Sequence, residues 1–249
     1  MVITTSLILS GCSWLNPFIY FEGKSGGKDT LPVAIEELVE MAEYCEQAYN
    51  SANEENKLYE IRNDEFSYHV RQDNGVTILI FRGTDNAKNI GTDIDARPTY
   101  DSGLDVYFHR GFKDAATWIF EDINDNYKLE KTIYLTGHSL GGAIAQIIGL
   151  WLDNAGYNVQ IYTFGSPKVT TTFFGNKPNH YRVAIRNDPV PFVPPYPFLH
   201  SGISIEPETL DWEEGGEANR GSFSEIDGRD HSITYYTRIL KGHIKWVQM

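Results

Sequence analysis

The sequence is poor in cysteine and in basic residues. Two cysteines in 249 residues define no disulfide framework. Lysine and arginine together number 21 against 34 aspartates and glutamates, which gives a formal net charge of −13. Because nucleic acid carries a dense negative charge, we expect no nucleic-acid partner for a chain this acidic.

Long apolar runs are missing as well. No stretch approaches the roughly 20 apolar residues that a membrane-spanning helix needs. The short apolar run at residues 7–9, with Val2 and Ile3 before it, instead suits the core of a signal peptide. It leads into Leu9-Ser10-Gly11-Cys12, which resembles the lipobox of bacterial lipoproteins.

The lipobox resemblance implies cleavage before Cys12 and acylation of this cysteine. We therefore expect a lipoprotein signal peptide over residues 1–11 and a tether over residues 12–29. The lipid would hold the protein at the cell envelope; without it the protein would be secreted or cytoplasmic. The second cysteine, Cys45, lies in a helical pattern and is predicted to be a core thiol.

Apolar residues are nevertheless plentiful enough for one sizeable domain. They make up 41% of the chain, and aromatic residues 13%, which is a globular composition. No internal repeat, low-complexity tract or linker follows residue 30, so we predict a single folded domain over residues 30–249. Its first helix is predicted to be capped by Asp29 or Thr30, with Pro32 in the first turn.

Strand and helix patterns alternate along this domain. FSYHVRQDNGVTILIFRGT predicts two strands joined at Asp73-Asn74-Gly75, and RGFKDAATWIFEDINDNY predicts an amphipathic helix. A buried strand at 133–136 precedes a helix at 140–152. Such alternation favours an α/β fold with a mostly parallel central sheet and helices on both faces. Later, GISIEP is predicted to be an edge strand, and the acidic stretch 206–217 an exposed loop without calcium-loop spacing.

Ser139 lies in Gly137-His138-Ser139-Leu140-Gly141, which fits the pattern G-x-S-x-G. The pattern alone is weak, because glycines and serines also meet in ordinary packing turns. Here a predicted strand precedes it and a predicted helix follows, which is the setting of a nucleophile elbow. The tight turn strains the serine backbone and places Oγ beside a helix N-terminus, which favours a developing negative charge. We therefore predict that Ser139 is a nucleophile.

A serine hydroxyl needs a base, and the base needs an orienting carboxylate. In sheet-based hydrolases the acid and then the histidine follow the serine along the chain. Asp188 is the best-placed acid, because it follows a predicted strand at 181–186, where the carboxyl end of a strand meets a loop. Asp153 lies on the helix after the elbow and is expected to point away. Taken alone, Asp188 before Pro189 is also an ordinary turn sequence.

Four histidines follow Ser139, and two of them compete for the role of base. His180 begins a predicted strand, at the wrong end of the sheet, and His243 lies among lysines near the end of the sequence. His231 precedes a predicted terminal helix on a loop long enough to reach the sheet edge. His200 lies only twelve residues after the candidate acid. This reasoning favours His231 and leaves His200 as the alternative.

An oxyanion needs backbone N–H donors. The first is expected from Leu140, the residue after the nucleophile, and the second from a loop after an earlier strand. Thr84 follows Gly83 and the buried strand of ILIFRGTDN, so its N–H and hydroxyl are candidates. An ordinary strand-ending turn explains the same residues.

Taken together, these motifs resemble the class 3 lipase family, the fungal-type triacylglycerol lipases of the α/β-hydrolase fold. The resemblance covers roughly residues 30–240 and rests on IFRGTD, HRGF, LTGHSLGGAIA, NDPVPFVPP, FLHSG and DHSITYY in the family's order. In the family the histidine of DHSITYY is catalytic and that of FLHSG is not. The resemblance thus implies His231 as the base and a structural or pocket-lining role for His200.

The family implies ester hydrolysis through an acyl-enzyme on Ser139, with Asp188 orienting His231 and with Thr84 and Leu140 stabilising the oxyanion. It implies an acyl-ester or lipid substrate and neither a metal nor an organic cofactor. Two alternatives are a non-catalytic surface lipoprotein that keeps the fold, and a phospholipase, peptidase or other acyl hydrolase.

The stretch 85–103 corresponds to the lid of the family's true lipases. It has few apolar side chains: Ala87, Ile90, Ile94, Ala96 and Tyr100. Because so little surface can enter a lipid interface, we do not expect interfacial activation. The aromatic and proline-rich run 192–198 is expected to form either a pocket wall or core packing.

Overall fold

The computed structural model describes residues 24–50, 67–84, 95–215 and 229–244. The predicted lipobox with Cys12 lies outside the described residues, as do Ile90 and Ile94 of the predicted lid. The described strands and α-helices are, in chain order, β1 (Ser25–Gly26), α1 (Ile35–Asn50), β2 (Tyr68–Asp73), β3 (Val76–Phe81), β4 (Pro98–Asp101), β5 (Val106–His109), α2 (Arg110–Asn126), β6 (Thr132–His138), α3 (Leu140–Asn154), β7 (Asn158–Phe164), β8 (Asn179–Val183), β9 (Ile203–Ile205), β10 (Trp212–Glu214) and α4 (Ile233–Ile244).

Eight of these strands form one sheet in the order β1-β10-β9-β8-β7-β6-β3-β2, and β4 pairs with β5 in a separate hairpin. Strands β3, β6, β7, β8 and β9 run parallel to one another. The outer strands β2, β10 and β1 are antiparallel to their neighbours. Asn74 and Gly75 both have positive φ, which suits the twist of the tight turn between β2 and β3.

Helices cover both faces of this sheet, as the sequence predicts. Alternate residues of β3 point to opposite faces: Leu79 and Phe81 pack with α2 and α3, whereas Ile78 and Ile80 pack with α1 and α4. Helix α3 is the most enclosed of the four, with twelve of its 15 residues buried. The predicted α/β class and the single domain are confirmed.

Cys45 is the core thiol that the helical pattern predicts. It is 1% exposed on α1, and its Sγ lies 3.2 Å from Oγ1 of Thr136 on β6. Burial raises the pKa of this thiol to about 12, so it stays protonated and packs as a small apolar group.

The first helix begins later than its predicted caps. Residues 28–30 form a short 3₁₀ turn, and α1 starts at Ile35. Leu31 is not helical, with φ −54° and ψ 128°, because the ring of Pro32 disfavours a helical residue before it. Asp29 and Thr30 therefore cap no α-helix.

The segment GISIEP is not an edge strand. It contributes β9, which is parallel to β8 on one side and antiparallel to β10 on the other. Beyond β10 lies β1, formed by two residues that were assigned to the tether. The acidic stretch after β9 is also not wholly exposed, because Glu206 is only 6% exposed.

Candidate active site

Ser139 lies between the end of β6 and the start of α3, in the strand–turn–helix setting that the sequence predicts. Its backbone has φ 58° and ψ −127°, a positive φ that costs a non-glycine residue energy. The turn holds because the N–H of Ser139 donates to the carbonyl of Phe164 at 3.0 Å. The serine is fully buried in the described structure.

Two glycines near Ser139, Gly137 and Gly141, lie so close to neighbouring backbone that no side chain fits there. A Cβ on Gly137 would lie 2.3 Å from the carbonyl oxygen of Gly141. A Cβ on Gly141 would lie 2.1 Å from the carbonyl oxygen of Phe81 on β3. Backbone atoms cannot move far enough to make room for a Cβ at these distances. The elbow therefore packs against the sheet only when both positions are glycine.

The structure brings Ser139, His231 and Asp188 into one hydrogen-bonded series. His231 Nε2 lies 2.8 Å from Ser139 Oγ. On the other side of the ring, His231 Nδ1 lies 2.9 and 2.8 Å from the two carboxylate oxygens of Asp188. Asp188 is 0% and His231 5% exposed, so water screens these contacts little.

Asp188 comes from the loop after β8, which ends at Val183 rather than at the predicted residue 186. Its Oδ1 also accepts the N–H of Val190 at 2.9 Å, which fixes the carboxylate at the start of a 3₁₀ turn. His231 lies just before α4. Two loops and the elbow thus converge at the carboxyl edge of the parallel strands.

Tyr236 of α4 is a site residue that sequence reasoning missed. Its hydroxyl donates to Asp188 Oδ2 at 2.6 Å and accepts the N–H of Ile185 at 3.2 Å. Burial and the nearby Asp188 carboxylate raise the pKa of Tyr236 well above its ordinary value, so the hydroxyl remains a donor. In the sequence it is one more aromatic residue of a helix, and only its spacing of five from His231 hints at a role.

Gly165, at the end of β7, was also missed. It has φ 55°, and a Cβ there would lie 2.5 Å from Asp188 Oδ2 and 3.1 Å from His231 Nδ1. The strand between those that carry Ser139 and Asp188 therefore has to end without a side chain. No sequence signal separates this glycine from an ordinary strand end.

His138 connects the elbow to the segment that carries His231. Its Nε2 lies 2.7 Å from the backbone oxygen of His231, and its Nδ1 lies 2.9 Å from the hydroxyl of Tyr49 on α1. Burial, together with His231, lowers the pKa of His138 well below its usual value, so the ring is neutral. Nε2–H must then donate to the carbonyl oxygen, and Nδ1 must accept from Tyr49.

His200 and His180, which the sequence did not favour as the base, make hydrogen-bond contacts within the fold. His200 is buried, and its Nε2 lies 2.6 Å from the carbonyl oxygen of Pro191. His180 Nε2 lies 3.0 Å from Oγ1 of Thr163 on the neighbouring strand. Burial lowers the pKa of both rings well below the usual value. Neither ring is a described partner of Ser139.

The two predicted oxyanion donors flank the elbow. Leu140 is the first residue of α3, where backbone N–H groups have no partner within the helix. The loop after β3 packs against the elbow: a Cβ on Gly83 would lie 2.6 Å from the carbonyl oxygen of His138 and 3.1 Å from Ser139 Cβ. Thr84 follows directly and is half-buried.

A carboxylate that holds an imidazole against a serine hydroxyl is the arrangement that activates a serine toward a carbonyl carbon. Among residues 24–50, 67–84, 95–215 and 229–244, no three His, Cys, Asp or Glu side chains are grouped so that they could hold a metal ion. In the same part of the chain, no helix combines the length and apolarity needed to cross a membrane.

The described fold is the α/β-hydrolase fold. The structure of the chain is similar to lipase II from Rhizopus niveus, with a TM-score of 0.62 at 19% identity, covering 84% of this chain and 96% of that one. It is also similar to Lip2 lipase from Yarrowia lipolytica, with a TM-score of 0.61 at 21% identity, covering 87% and 97%. These likenesses establish the fold.

Residues 78–198 match the family Lipase (class 3), so this segment of the chain is similar to the class 3 lipases. The chain is 32% identical over 155 residues to secreted mono- and diacylglycerol lipase 1 of Fusarium solani. The aligned residues make up 57% of this chain and 45% of that protein. The chain is 30% identical over 200 residues to a lipase of Rhizopus niveus, covering 71% and 50%. The chain thus spans about half the length of the curated relatives it matches.

Proposed function

We propose that this protein is a serine carboxylic-ester hydrolase, a lipase or esterase acting on acylglycerols. The observation that carries the proposal is the buried series Ser139–His231–Asp188, with 2.8 Å between Ser139 Oγ and His231 Nε2. The relatives in Fusarium and Rhizopus are named as lipases, and the Fusarium protein as a mono- and diacylglycerol lipase. Those names support acylglycerols as the substrate class.

In the proposed reaction, Ser139 Oγ attacks the ester carbonyl carbon and His231 Nε2 takes the hydroxyl proton. Asp188 holds Nδ1–H and stabilises the imidazolium. The tetrahedral intermediate collapses, the alkoxide leaves, and His231 returns the proton to it. A water molecule then attacks the acyl-enzyme with His231 again as base, which releases the fatty acid and restores Ser139.

The negative charge of the tetrahedral intermediate is assigned to the N–H of Leu140 and to the N–H or hydroxyl of Thr84. The position of Leu140 at the start of α3 supports the first donor, because the helix dipole adds to it. The packing of Gly83 against the elbow supports the second.

A fluorophosphonate probe tests the nucleophile. The wild-type protein should be labelled and should hydrolyse a p-nitrophenyl ester and a diacylglycerol. Ser139→Ala should lose both labelling and hydrolysis, whereas Ser102→Ala, an exposed serine in the turn between β4 and β5, should keep both. An unlabelled but folded wild-type protein would refute catalysis and favour the alternative of a non-catalytic lipoprotein.

Hydrolysis of esters of graded chain length, below and above the micellar concentration, tests the lid expectation. A rate that does not jump at the threshold is the result expected of an esterase without interfacial activation. Parallel amide and phospholipid substrates should be cleaved poorly. A jump at the threshold would overturn the expectation drawn from the apolar-poor stretch 85–103.

Acylation of Cys12 remains a prediction, supported by the lipobox-like sequence before it. The intact mass of protein extracted from the membrane fraction decides it. A mass that begins at Cys12 and carries acyl chains supports a lipid anchor, and an unmodified chain that begins at Met1 refutes it.

A further inference from the structure

A cavity lies at the β9–β10–β1 end of the sheet, away from the proposed active site. It has a volume of about 490 Å³ and includes in its lining Glu206, Asp211, Trp212 and Glu213. None of the side chains that line it belongs to the series of Ser139, His231 and Asp188. The proposed hydrolysis makes no use of it.

Glu206 is the unusual member of this lining. Its side chain is 5% exposed, and no partner in the described structure has hydrogen-bond geometry to either carboxylate oxygen. The neighbouring Glu208 carboxyl and backbone lie close enough to act on it electrostatically. Arg186 lies close to it, with 4.0 Å between Nε and Oε2, beyond hydrogen-bond length. A buried carboxyl with both oxygens unsatisfied costs free energy that a hydrogen-bond donor inside the cavity would recover.

The remaining polar groups give the cavity one sign of charge. Asp211 and Glu213 add two more carboxylates, and the described residues that line the cavity include no Lys, Arg or His. Glu213 is paired across the sheet with Ser204 of β9 and with Ser25 of β1, so the carboxylate and two hydroxyls stand in a row. A ligand for such a cavity is a cation.

The size and the dispersion of the carboxylates favour an organic cation. Among the described residues no group of His, Cys, Asp or Glu comes together as metal ligands do, so these carboxylates do not converge on one point. Trp212 forms part of the wall, and its indole N–H is engaged by Thr30 Oγ1 at 3.3 Å. Aromatic walls accept the carbon-bound surface of ammonium ions.

Since the two oxygens of Glu206 lack donors, the cation has to supply N–H groups. We propose that this cavity binds a primary organic ammonium ion, with Glu206 accepting its N–H groups and with Asp211 and Glu213 completing a negative surround. The site is independent of the proposed ester hydrolysis.

Binding at this site is coupled to a proton. Burial and the neighbouring Glu208 raise the pKa of Glu206 to about 9, so the free protein holds this carboxyl protonated at pH 7. An ammonium ion binds the ionised form and expels the proton, and its affinity therefore rises with pH up to about 9. The charged and titratable groups around Glu206 are Arg186, Glu208, Asp211, Glu213 and Tyr236.

Calorimetric titration of the whole chain with 1,4-diaminobutane at low salt tests the proposal. One saturable site is expected, with close to one proton released at pH 7 in a weakly buffered solution followed by a pH electrode. Tetramethylammonium, which has no N–H, and calcium chloride should bind at least ~10-fold more weakly. Equal binding of either would overturn the assignment to a primary ammonium ion.

Variants distinguish binding at a defined site from the general attraction of cations to an acidic surface. Glu206→Gln should abolish proton release and weaken binding, whereas Asp211→Asn should weaken binding about threefold to tenfold and keep the release. Glu121→Gln, on the exposed side of α2, should change neither. Circular dichroism checks that each variant folds. Unsaturable binding, or the same proton release in Glu206→Gln, would overturn the proposal.

Discussion

The Nε2 atom of His138 lies 2.7 Å from the backbone carbonyl oxygen of His231. The residue before the nucleophile therefore holds the segment that carries the proposed base. The two rings lie 4.6 Å apart, so the same contact also sets how closely the imidazole of His231 approaches the elbow. Tyr49, by donating to Nδ1, decides which nitrogen of His138 carries the proton.

Replacing Tyr49 by Phe should lower kcat/KM roughly threefold to tenfold, because His138 loses the donor that fixes its tautomer. The measurement is steady-state ester hydrolysis beside a thermal melt. The matched control is Tyr44→Phe on the same helix, whose hydroxyl donates to Glu40 away from the site. Equal activity of the two variants would contradict a role for the Tyr49–His138 contact.

Tyr236→Phe should reduce kcat by about tenfold and leave KM nearly unchanged, because it removes a hydrogen bond to Asp188 that orients His231. Tyr235→Phe is the neighbouring control, since Tyr235 is only half-buried and packs beside Arg238. A purely structural role for Tyr236 would instead lower the melting temperature and leave kcat per folded molecule unchanged.

Gly165→Ala should fold and lose at least ~10-fold in kcat, because its Cβ displaces the Asp188 carboxylate. Gly175→Ala is a close match in backbone strain: Gly175 has φ 61° against 55° at Gly165, and nothing lies within 4 Å of its Cβ position. Both variants should lose about 1 kcal/mol of stability from the left-handed backbone. Comparable activity losses in both would show that strain, and not the contact with Asp188, is responsible.

Glu206→Gln should stabilise the protein at neutral and alkaline pH. The pKa of this carboxyl is about 9 in the folded chain against an ordinary 4.5, so between these pH values the unfolded chain releases a proton that the folded chain keeps. Stability therefore falls as pH rises through this window, and glutamine removes that loss.

Without added amines, Tm of Glu206→Gln should exceed that of the wild type by at least about 2–4 °C at pH 8, and the difference should shrink toward zero near pH 4. Glu121→Gln should follow the wild type throughout. A difference that does not depend on pH would mean that Glu206 is ionised in the fold or has a partner.

Residues whose signal is local were predictable from the sequence. The flanking glycines, with the strand before them and the helix after them, mark Ser139. The order along the chain and the predicted loops mark Asp188 and His231. Gly165 and Tyr236 act through contacts between segments distant in the chain. Their spacing carries no local signal, so only the assembled sheet reveals them.

The errors in the fold have the same origin. The start of α1 was misplaced because the effect of Pro32 on Leu31 outweighs the capping preference of Thr30. The position of β9 inside the sheet depends on two short strands, β10 and β1, whose pairing no pattern in the sequence indicates. Glu206 looked exposed because it belongs to an acidic run, and burial by tertiary neighbours overrides composition.

Because α3 is almost completely buried, it is expected to be among the last elements to unfold. Ser139 is fastened to the most buried helix, whereas Asp188 and His231 are supplied by loops. Elements with the deepest packing open last. In rising urea, hydrolysis should therefore disappear while the amide hydrogens of α3 are still protected from exchange. The proposed nucleophile would outlast the two residues that activate it.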